Sequence, residues 1–398
     1  MKIVIQKFGG TSLQNSAIRS KAAEHVKDAV GKGLSPVVVV SAIGRKGNPY
    51  STDTLLQEAT SVFEKISPRE KDLLMSCGEI ISAVVMVQTL RQKNIEAVAL
   101  NGMQAGILTD ENFNQANIKR VFTDNIFKAI SNGLVPVVTG FQGISESGEV
   151  TTFGRGGSDT TASILAAALK ADHIEIYSDV EGLLTADPKK ISDVKHLEKV
   201  SYIETMEMAN NGAEVIHPQA VEIASQYNIP IKLFSTMNKD RSTLIHEMKN
   251  SRPVTGITIK SEIIFARIYP QKEKIMNTGL SIFQTLASQN ISADFIDITP
   301  ELISFIIDET KEEQFKRILK ENKFCSKIEN GFSKVSVVGF GMTGMPGVMA
   351  KIVKALSTNN ILIHECTDSY TTISCLINKQ DESKAIAALH KEFELGKK

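Results

Sequence analysis

Residues 2–42 are KIVIQKFGGTSLQNSAIRSKAAEHVKDAVGKGLSPVVVVSA, and they contain a strand pattern, a helical pattern and a second strand pattern in that order. Strands are predicted at Lys2–Phe8 and Pro36–Ala42, and a helix is predicted at Ser16–Gly31. The β-branched run Val37–Val40 is continuous, which is typical of a strand buried on both faces of a parallel sheet. Two such strands joined by a helix indicate a β-α-β unit.

The alternation of strands and helices continues to about residue 236. It predicts an α/β sandwich around a mainly parallel sheet, with functional loops at the carboxyl ends of the strands. The further predicted strands are Glu96–Asn101, Val135–Phe141, His173–Asp179 and Ile229–Ser235. The further predicted helices are Pro68–Lys93, Ile118–Asn132, Asp159–Lys170 and Pro218–Tyr227.

Residues 254–398 have a different pattern, in which two short units each alternate strands and helices as a βαββαβ module does. The sequence ALSTNNILI at 355–363 parallels TLASQNISA at 285–293, which indicates a duplication. We expect residues 1–240 to form one domain, 241–253 a linker and 261–330 the first module. The second module is expected to comprise 331–398 closed by the strand 254–260, so that the first module is an insertion within it.

The composition is that of an ordinary globular protein, with 42% hydrophobic and 23% charged residues. The 45 Lys and Arg residues balance the 45 Asp and Glu residues, which argues against a dedicated nucleic-acid or anionic-membrane binder. The N-terminus is too polar for a signal peptide, and the apolar run Ile80–Val87 is too short to span a membrane. The four cysteines (Cys77, Cys325, Cys366 and Cys375) lack C-x-x-C spacing, so neither a disulfide framework nor a zinc site is expected. A cytoplasmic location is the expectation.

The segment KFGGTS at 7–12 follows the first strand and precedes a helix. Gly9 and Gly10 let the backbone approach a phosphate, and Lys7 could neutralise charge on a transferring phosphoryl group. A tight turn with a surface lysine is the alternative, because the spacing matches neither of the common glycine-rich nucleotide motifs.

The segment FGRGGSDTTA at 153–162 places three glycines within four residues ahead of an alanine-rich helix. Such a loop favours anion binding, Arg155 can hold a carboxylate with two hydrogen bonds, and Asp159 can orient a lysine or a nucleophile. A helix cap, which contributes about 1 kcal/mol, is the structural alternative. Capping needs neither the arginine nor three glycines, so a functional role is favoured.

Three further segments are candidate parts of a site. SDVEG at 178–182 with TADPK at 185–189 is consistent with a nucleotide pocket and equally with a surface loop. Glu79, within SCGE at 76–79, lies in an apolar helical pattern and needs a partner, either a substrate ammonium group or a nearby lysine. Ser41 and Thr52-Asp53 add hydroxyls at the same end of the sheet. His217, before Pro218, is expected to pack or cap rather than to catalyse.

Together, KFGGTS at 7–12, VVVVSAIG at 37–44, SCGE at 76–79, FGRGGSDTTA at 153–162, SDVEGLLTADP at 178–188 and VIHPQAVEIA at 215–224 resemble the aspartokinase family. The resemblance covers essentially the whole chain and is nearest to the diaminopimelate-sensitive bacterial class, through GRKGNPY at 44–50 and SPRE at 67–70. It implies an amino-acid-kinase domain, a three-layer sandwich, followed by two ferredoxin-like ACT modules.

The resemblance also implies an activity and a set of roles. MgATP would phosphorylate the β-carboxylate of L-aspartate, with Mg²⁺ held mainly by the ATP phosphates and no dedicated protein metal site. Catalysis would rest on Lys7 and on Asp159, which orients it. The substrate would be bound by Ser41, Thr52, Glu79, Arg155, Gly156, Gly157 and Ser158. ATP would be bound by Lys7, Gly9, Gly10, Ser178, Asp179, Asp187, Pro188, Lys189 and Glu214.

Regulation and assembly are implied in the same way. A homodimer or larger homo-oligomer through the ACT modules is expected, with diaminopimelate, lysine or threonine as effector. The candidate effector residues are Met342, Met345, Pro346, Gly347 and Val348. A carboxylate nucleophile is ionised at neutral pH, so no general base is needed and the absence of a catalytic histidine is expected.

The chain departs from the family pattern at a few positions. Glu214 stands where the family usually has a lysine that contacts nucleotide phosphate, so weaker nucleotide affinity is expected. Ser178 replaces a common threonine, Phe234 a residue that is often basic, and the loop 270–278 lacks the D-x-P-G signature of the ACT fold. Two alternatives stay open: another kinase of this fold, acting on glutamate, acetylglutamate or uridylate, and a non-catalytic amino-acid sensor.

Overall fold

The structure, a computed structural model, describes residues 1–248, 253–270, 275–322, 324–342 and 345–396. The chain forms two compact units. The first comprises Met1–Leu183, His196–Ala209 and Glu214–Lys249, and the second comprises Leu184–Lys195, Asn210–Ala213 and Asn250–Lys398. The segments 184–195 and 210–213 therefore belong with the C-terminal modules, which the predicted boundary at residue 240 did not anticipate.

Strands of the first unit alternate with helices along the chain. They are β1 (Lys2–Phe8), β2 (Leu34–Val40), β3 (Ala97–Leu100), β4 (Ile107–Thr109), β5 (Ile118–Val121), β6 (Val135–Thr139), β7 (Gln142–Ser145), β8 (Val150–Thr152), β9 (His173–Ser178), β10 (Lys199–Ser201), β11 (Ile231–Ser235) and β12 (Ser242–His246). The helices are α1 (Ser16–Gly31), α2 (Thr52–Val62), α3 (Pro68–Gln92), α4 (Asp124–Ser131), α5 (Gly157–Leu169), α6 (Tyr202–Asn210) and α7 (Pro218–Gln226).

An eight-stranded sheet in the order β10-β12-β11-β9-β1-β2-β6-β3 forms the centre of this unit. Neighbouring strands are parallel except for the antiparallel pair β11 and β12. Val37–Val40 are fully buried, as the continuous apolar run predicted. The predicted mainly parallel sheet is confirmed, and the loops after β1, β2, β6 and β9 meet at one edge of it.

Several local predictions were wrong. Residues 118–132 form β5 followed by α4 rather than one helix, because β5 joins a second sheet in the order β5-β4-β7-β8. Residues 242–246 form β12 instead of a linker, while 249–252 lie outside the described residues. β12 lies between β10 and β11, and its alternating burial resembles the pattern of a polar connection, which is why the sequence indicated a linker there.

The helix α3 begins with a cap, because the Ser67 side chain accepts a hydrogen bond from the Glu70 N–H and Pro68 occupies the first turn. By length and composition α3 is a candidate membrane span, and half of its most apolar window is buried inside the protein. Its residues Ala83, Met86, Val87 and Leu90 belong to a core shared with β1, β2 and α1. This packing is that of a core helix.

The second unit contains the strands β13 (Gly256–Ile268), β14 (Asp294–Ile298), β15 (Ile303–Asp308), β16 (Ser326–Val338), β17 (Glu365–Asp368) and β18 (Thr372–Asn378). Its helices are α8 (Ile275–Ser288), α9 (Glu312–Glu321), α10 (Val348–Thr358) and α11 (Glu382–Glu392). The strands form one antiparallel sheet in the order β14-β15-β13-β16-β18-β17.

The long strands β13 and β16 join the two halves of this sheet. Residues 256–260 pair with 334–338, and 263–268 pair with 303–308 on one side and 326–332 on the other. The strand 254–260 was predicted to close the second module and to be separate from the first module, which was predicted to begin at residue 261. The structure has a single strand, β13, across this boundary. Its register with β16 is irregular near Glu262, whose φ is +58°.

In the described part of the second unit, helices pack on the sheet through apolar cores. One packs α10 and α11 on the β16-β18 half and includes Ala186 and Val194 of the 184–195 segment. Another packs α8 and α9 on the β13-β15 half. The segment is also held by a hydrogen bond between Thr185 Oγ1 and His390 Nε2 (2.9 Å) and by the ion pair between Lys190 and the buried Glu382 (2.5 Å).

Candidate active site

The glycine turn after β1 is fixed against two neighbouring strands. The Gly9 N–H donates to Tyr177 O (3.2 Å), and the Gly44 N–H donates to Gly10 O (2.9 Å). A Cβ at Gly10 would lie 2.4 Å from Gly44 O, a distance that no side chain tolerates. Gly10 is therefore required for the loops after β1 and β2 to approach each other, and Lys7 lies at their junction.

The loop before α5 is a second glycine turn. Gly154 (φ +74°) and Gly156 (φ +69°) occupy the left-handed region, and a Cβ on Gly156 would lie 2.1 Å from the His217 ring. His217 packs against this turn, and its backbone N–H donates a hydrogen bond to Asp159 Oδ2 (3.2 Å). Burial lowers the pKa of its imidazole, which accords with the packing role expected from the sequence.

The two glycine turns meet in a cavity of about 710 Å³. Lys7 Nζ lies 2.7 Å from Asp159 Oδ1, and both side chains are only 12% exposed. The cavity is lined by ten of the residues singled out from the sequence: Lys7, Gly10, Ser41, Thr52, Glu79, Arg155, Gly156, Gly157, Ser158 and Asp159. Lys7 and Arg155, which come from the two glycine-containing segments, therefore line the same cavity.

Glu79 enters this cavity from α3. Its Oε1 accepts a hydrogen bond from the Ala42 N–H (2.9 Å), and its Oε2 is buried without a hydrogen-bond partner. Burial raises the pKa of Glu79 to about 8. Gly78 permits this approach, since a Cβ there would lie 2.8 Å from Ala42 Cβ. Among the described residues, no ion pair includes Glu79, so its buried Oε2 is available to a donor that enters the cavity.

Sequence reasoning missed several residues that line the same cavity: Arg45, Lys46, Lys71, Asn114 and Phe141. Arg45 and Lys46 were visible as a basic pair in GRKGNPY directly after β2. Phe141 follows β6 and has a φ of +70°, unusual for a bulky residue. No sequence pattern indicates that strain.

The predicted nucleotide residues are distributed over several places. Gly9 adjoins the cavity, because a Cβ there would lie 3.6 Å from Lys7 Nζ. Ser178 ends β9, and Asp179 pairs with Arg45 (2.9 Å), both side chains being exposed. Asp187, Pro188 and Lys189 belong to the second unit, where the Lys189 N–H donates to Asp187 Oδ1 (2.9 Å). Glu214 is exposed and does not line the cavity.

An aromatic stack supports β1 and β9 beneath this site. Tyr177 stacks between Phe8 and Phe234 at ring-centroid distances of 4.8 and 5.4 Å, and Lys239 Nζ lies 5.1 Å from the Tyr177 ring. Burial of Glu175 would raise its pKa, but hydrogen bonds from His173, Gln6 and Tyr177 lower it to about 2. Phe234 thus completes an apolar stack with the Lys239 ammonium group above it.

A second cavity, of about 410 Å³, lies in the second unit between the loop before α10 and the strand β17. Four of the candidate effector residues line it: Met342, Met345, Gly347 and Val348. Pro346 is exposed and does not. The remaining wall is formed by Met349, Cys366, Thr367, Asp368 and Ile373.

Comparisons with known proteins match this architecture. The model of the amino acid kinase family matches residues 2–235, and that of the ACT domain matches 327–391. Aspartokinase 1 of Bacillus subtilis is 43% identical over 405 residues, covering all of both chains, and the aspartokinase of Geobacillus stearothermophilus is 37% identical, covering 99% of this chain and 98% of that one. This chain belongs to the aspartokinase family.

The fold agrees with that of a solved aspartokinase. Aspartokinase III of E. coli in complex with aspartate and ADP superposes with a TM-score of 0.83, covering 98% of this chain and 99% of that one at 23% identity. As an aspartokinase, the protein is an ATP-dependent kinase, with an amino-acid-kinase domain and ACT modules for allosteric regulation. Among the described residues, no group of three or more His, Cys, Asp or Glu side chains forms a metal cluster.

Proposed function

We propose that the 710 Å³ cavity is where this aspartokinase transfers the γ-phosphoryl group of ATP to the β-carboxylate of L-aspartate, giving 4-phospho-L-aspartate. The contact between Lys7 and Asp159 carries this proposal. Phosphoryl transfer requires positioning and charge stabilisation rather than covalent catalysis. A cation that is mostly buried, held by a carboxylate and surrounded by glycine backbone supplies both.

Asp159 acts on Lys7 rather than on the substrate. Its Oδ1 holds the ammonium group at the end of β1, and its Oδ2 accepts the His217 N–H, so the carboxylate is fixed from two sides. The ammonium group then stabilises the charge that develops on the transferring phosphoryl oxygens. The substrate carboxylate is ionised at neutral pH and attacks without a general base.

The α-ammonium and α-carboxylate groups of aspartate bind at the opposite side of the cavity. Glu79 receives the α-ammonium group with its unpartnered Oε2, and Arg155 receives the α-carboxylate with two hydrogen bonds. The hydroxyls of Ser41, Thr52 and Ser158 and the backbone of Gly156 and Gly157 complete this pocket. Two ionic anchors with a fixed separation select an α-amino acid, which disfavours a uridylate kinase.

The nucleotide phosphates bind on the Lys7 side, against Gly9 and Gly10. Ser178 and Asp179 hold the nucleotide from the loop after β9, and Glu214 is assigned to the same ligand. Mg²⁺ is carried mainly by the ATP phosphates, which fits a cavity lined with more cationic than acidic groups on that side. Glu214 repels phosphate, so ATP affinity is lower than in a relative with lysine there.

Regulation is assigned to the 410 Å³ cavity, which receives an amino-acid effector: diaminopimelate, lysine or threonine. The ACT modules are 261–330 and 331–398 with 254–260, and they also form the homodimer or larger oligomer. We assign the enzyme to the cytoplasm. Its reaction would be the first step of lysine, diaminopimelate, threonine and methionine synthesis. An effector regulates only if it binds one arrangement of the modules better than another.

The test is formation of aspartyl hydroxamate from aspartate, MgATP and hydroxylamine. Wild-type protein is expected to form it, and glutamate in place of aspartate is not. Absence of hydroxamate at any substrate concentration would support a non-catalytic sensor. Thermal unfolding with diaminopimelate, lysine or threonine identifies the effector, because a ligand that prefers the folded state raises Tm.

A further inference from the structure

Cys366 and Cys375 lie directly opposite each other on β17 and β18. Their sulfur atoms are 3.5 Å apart. Cys375 is 1% exposed and belongs to the core under α10 and α11, whereas Cys366 is exposed and lines the 410 Å³ cavity. One thiol is thus accessible to a dissolved reagent, and the other can be reached only through the first.

The register of the two strands favours a covalent bond between these cysteines. The Ser369 N–H donates to Thr372 O (2.7 Å), so this pair is hydrogen-bonded and the opposing pairs alternate from there. Cys366, on β17, lies three positions before Ser369, so Cys366 and Cys375 form a non-hydrogen-bonded pair. In such a pair the Cα atoms are about 4.5 Å apart. Disulfides span Cα separations of roughly 4.4 to 6.8 Å, so closure needs a side-chain adjustment and no strand movement.

We propose that Cys366 and Cys375 are a reversible dithiol–disulfide pair whose oxidation state sets the ligand affinity of the 410 Å³ cavity. The disulfide withdraws the Cys366 sulfur from the cavity wall and ties β17, an edge strand, to β18. The part of the proposal that concerns ligand affinity rests on the effector role proposed for this cavity. The part that concerns disulfide formation does not.

The oxidant is a low-molecular-weight disulfide such as glutathione disulfide. The Cys366 thiolate attacks one of its sulfur atoms, forms a mixed disulfide and releases one thiolate. Cys375 then loses its proton and attacks the Cys366 sulfur, which releases the second thiolate. The two cysteines lose two electrons and two protons, and the reagent disulfide is reduced to two thiols.

The electrostatics agree with this order of events. A hydrogen bond from the Cys375 thiol lowers the pKa of Cys366, whereas the same neighbour and burial raise the pKa of Cys375. Cys366 is therefore the attacking thiol and Cys375 the resolving one. The other two cysteines serve as internal controls: Cys325 is exposed, and Cys77, which is half-buried, donates to Leu73 O (3.4 Å) within α3.

The first experiment equilibrates the full-length protein in mixtures of reduced and oxidised glutathione, then alkylates it and maps the peptides by mass spectrometry. The expected product is a peptide pair linked through Cys366 and Cys375, lost in Cys366→Ser and kept in Cys325→Ser. In Cys375→Ala, Cys366 should carry a glutathione adduct and no internal disulfide should form. Free alkylation of both thiols in excess oxidised glutathione, or an adduct on wild-type Cys366 that never resolves, overturns the proposal.

The second experiment measures thermal unfolding of reduced and oxidised protein with diaminopimelate, lysine or threonine. We expect oxidation to lower the apparent affinity of the responding ligand by about fivefold or more, and the difference to vanish in Cys366→Ser. Equal affinity in both states overturns the link to the cavity even if the disulfide forms. Hydroxamate formation by the reduced protein is measured in parallel, so a failed catalytic proposal is distinguished from a failed redox one.

Discussion

Lys7 Nζ and Asp159 Oδ1 are 2.7 Å apart, although 152 positions separate the two residues in the chain, and both side chains are nearly buried. The contact joins the end of β1 to the first turn of α5. Each charge satisfies the other, so removing either one leaves an uncompensated charge in a region with little water. Breaking this pair is therefore expected to lower stability and, by the function proposed above, the rate of phosphoryl transfer.

Lys7→Ala is expected to reduce kcat to below about one hundredth, because one preformed cation at the phosphoryl group typically contributes that much. It should also destabilise the fold by about 3 kcal/mol, since Asp159 loses its partner. Lys7→Arg keeps the charge and should recover stability more than activity. Hydroxamate formation and urea unfolding measure the two effects, and an active Lys7→Ala enzyme would remove Lys7 from the assigned role.

Glu79 predicts a pH dependence whose sign follows from its raised pKa of about 8. Between about pH 4.5 and 8 the unfolded carboxyl is ionised while the folded one retains its proton, so this group lowers the free energy of unfolding as pH rises through that window. Glu79→Gln should remove this pH-dependent loss of stability. Relative to the wild type, the variant should therefore be more stable near pH 8 than near pH 4.5. Denaturant unfolding at several pH values measures it, with the exposed Glu58→Gln as control.

Aspartate binding should also depend on the protonation state of Glu79. The substrate ammonium favours ionised Glu79, so KM for aspartate is expected to fall as pH approaches 8 and a proton to be released on binding. Glu79→Gln should raise KM for aspartate at least about tenfold and remove the proton release. Calorimetry in buffers of different ionisation enthalpy detects that proton. Unchanged KM in the variant would assign the ammonium to another residue.

Arg45 pairs with Asp179, and 68% and 52% of the two side chains are exposed. Such a pair contributes under about 1 kcal/mol to stability. Because Arg45 also lines the Lys7 cavity, we expect Arg45→Ala to raise KM for ATP while leaving KM for aspartate nearly unchanged. Arg91→Ala, which removes an exposed pair with Glu96, is the matched control. An equal rise in both KM values would argue for a general distortion.

The sequence predicted the β-α-β architecture and the convergence of the two glycine turns, because both depend on local signals. Val37–Val40 are continuous and β-branched, and the loops of parallel strands must meet at one sheet edge. The glycines mark close backbone approaches, and Gly10 has such an approach to Gly44. In each case the residues that determine the local structure are the same residues that adopt it, or lie within a few positions of them.

Long-range choices were not predictable in this way. Residues 118–121 have a helical pattern and yet pair as β5 with β4, since the partner strand decides their structure. The segment 184–195 has no pattern that assigns it to the second unit, where Ala186 and Val194 enter the core under α10 and α11. The unpartnered Glu79 oxygen and the positive φ of Phe141 are likewise consequences of packing that no local spacing encodes.

Glu214 offers the last prediction, because it is an exposed side chain that we propose to act on the nucleotide. If Glu214 acts on the phosphates as proposed, Glu214→Lys replaces a repulsive charge by an attractive one, so KM for ATP should fall several-fold, with a larger effect at low ionic strength. Its exposure means that stability should change by less than about 0.5 kcal/mol. Glu207→Lys, on the neighbouring helix α6, controls for the change in net charge. If both variants lower KM for ATP equally, Glu214 acts through the overall field and does not contact the nucleotide.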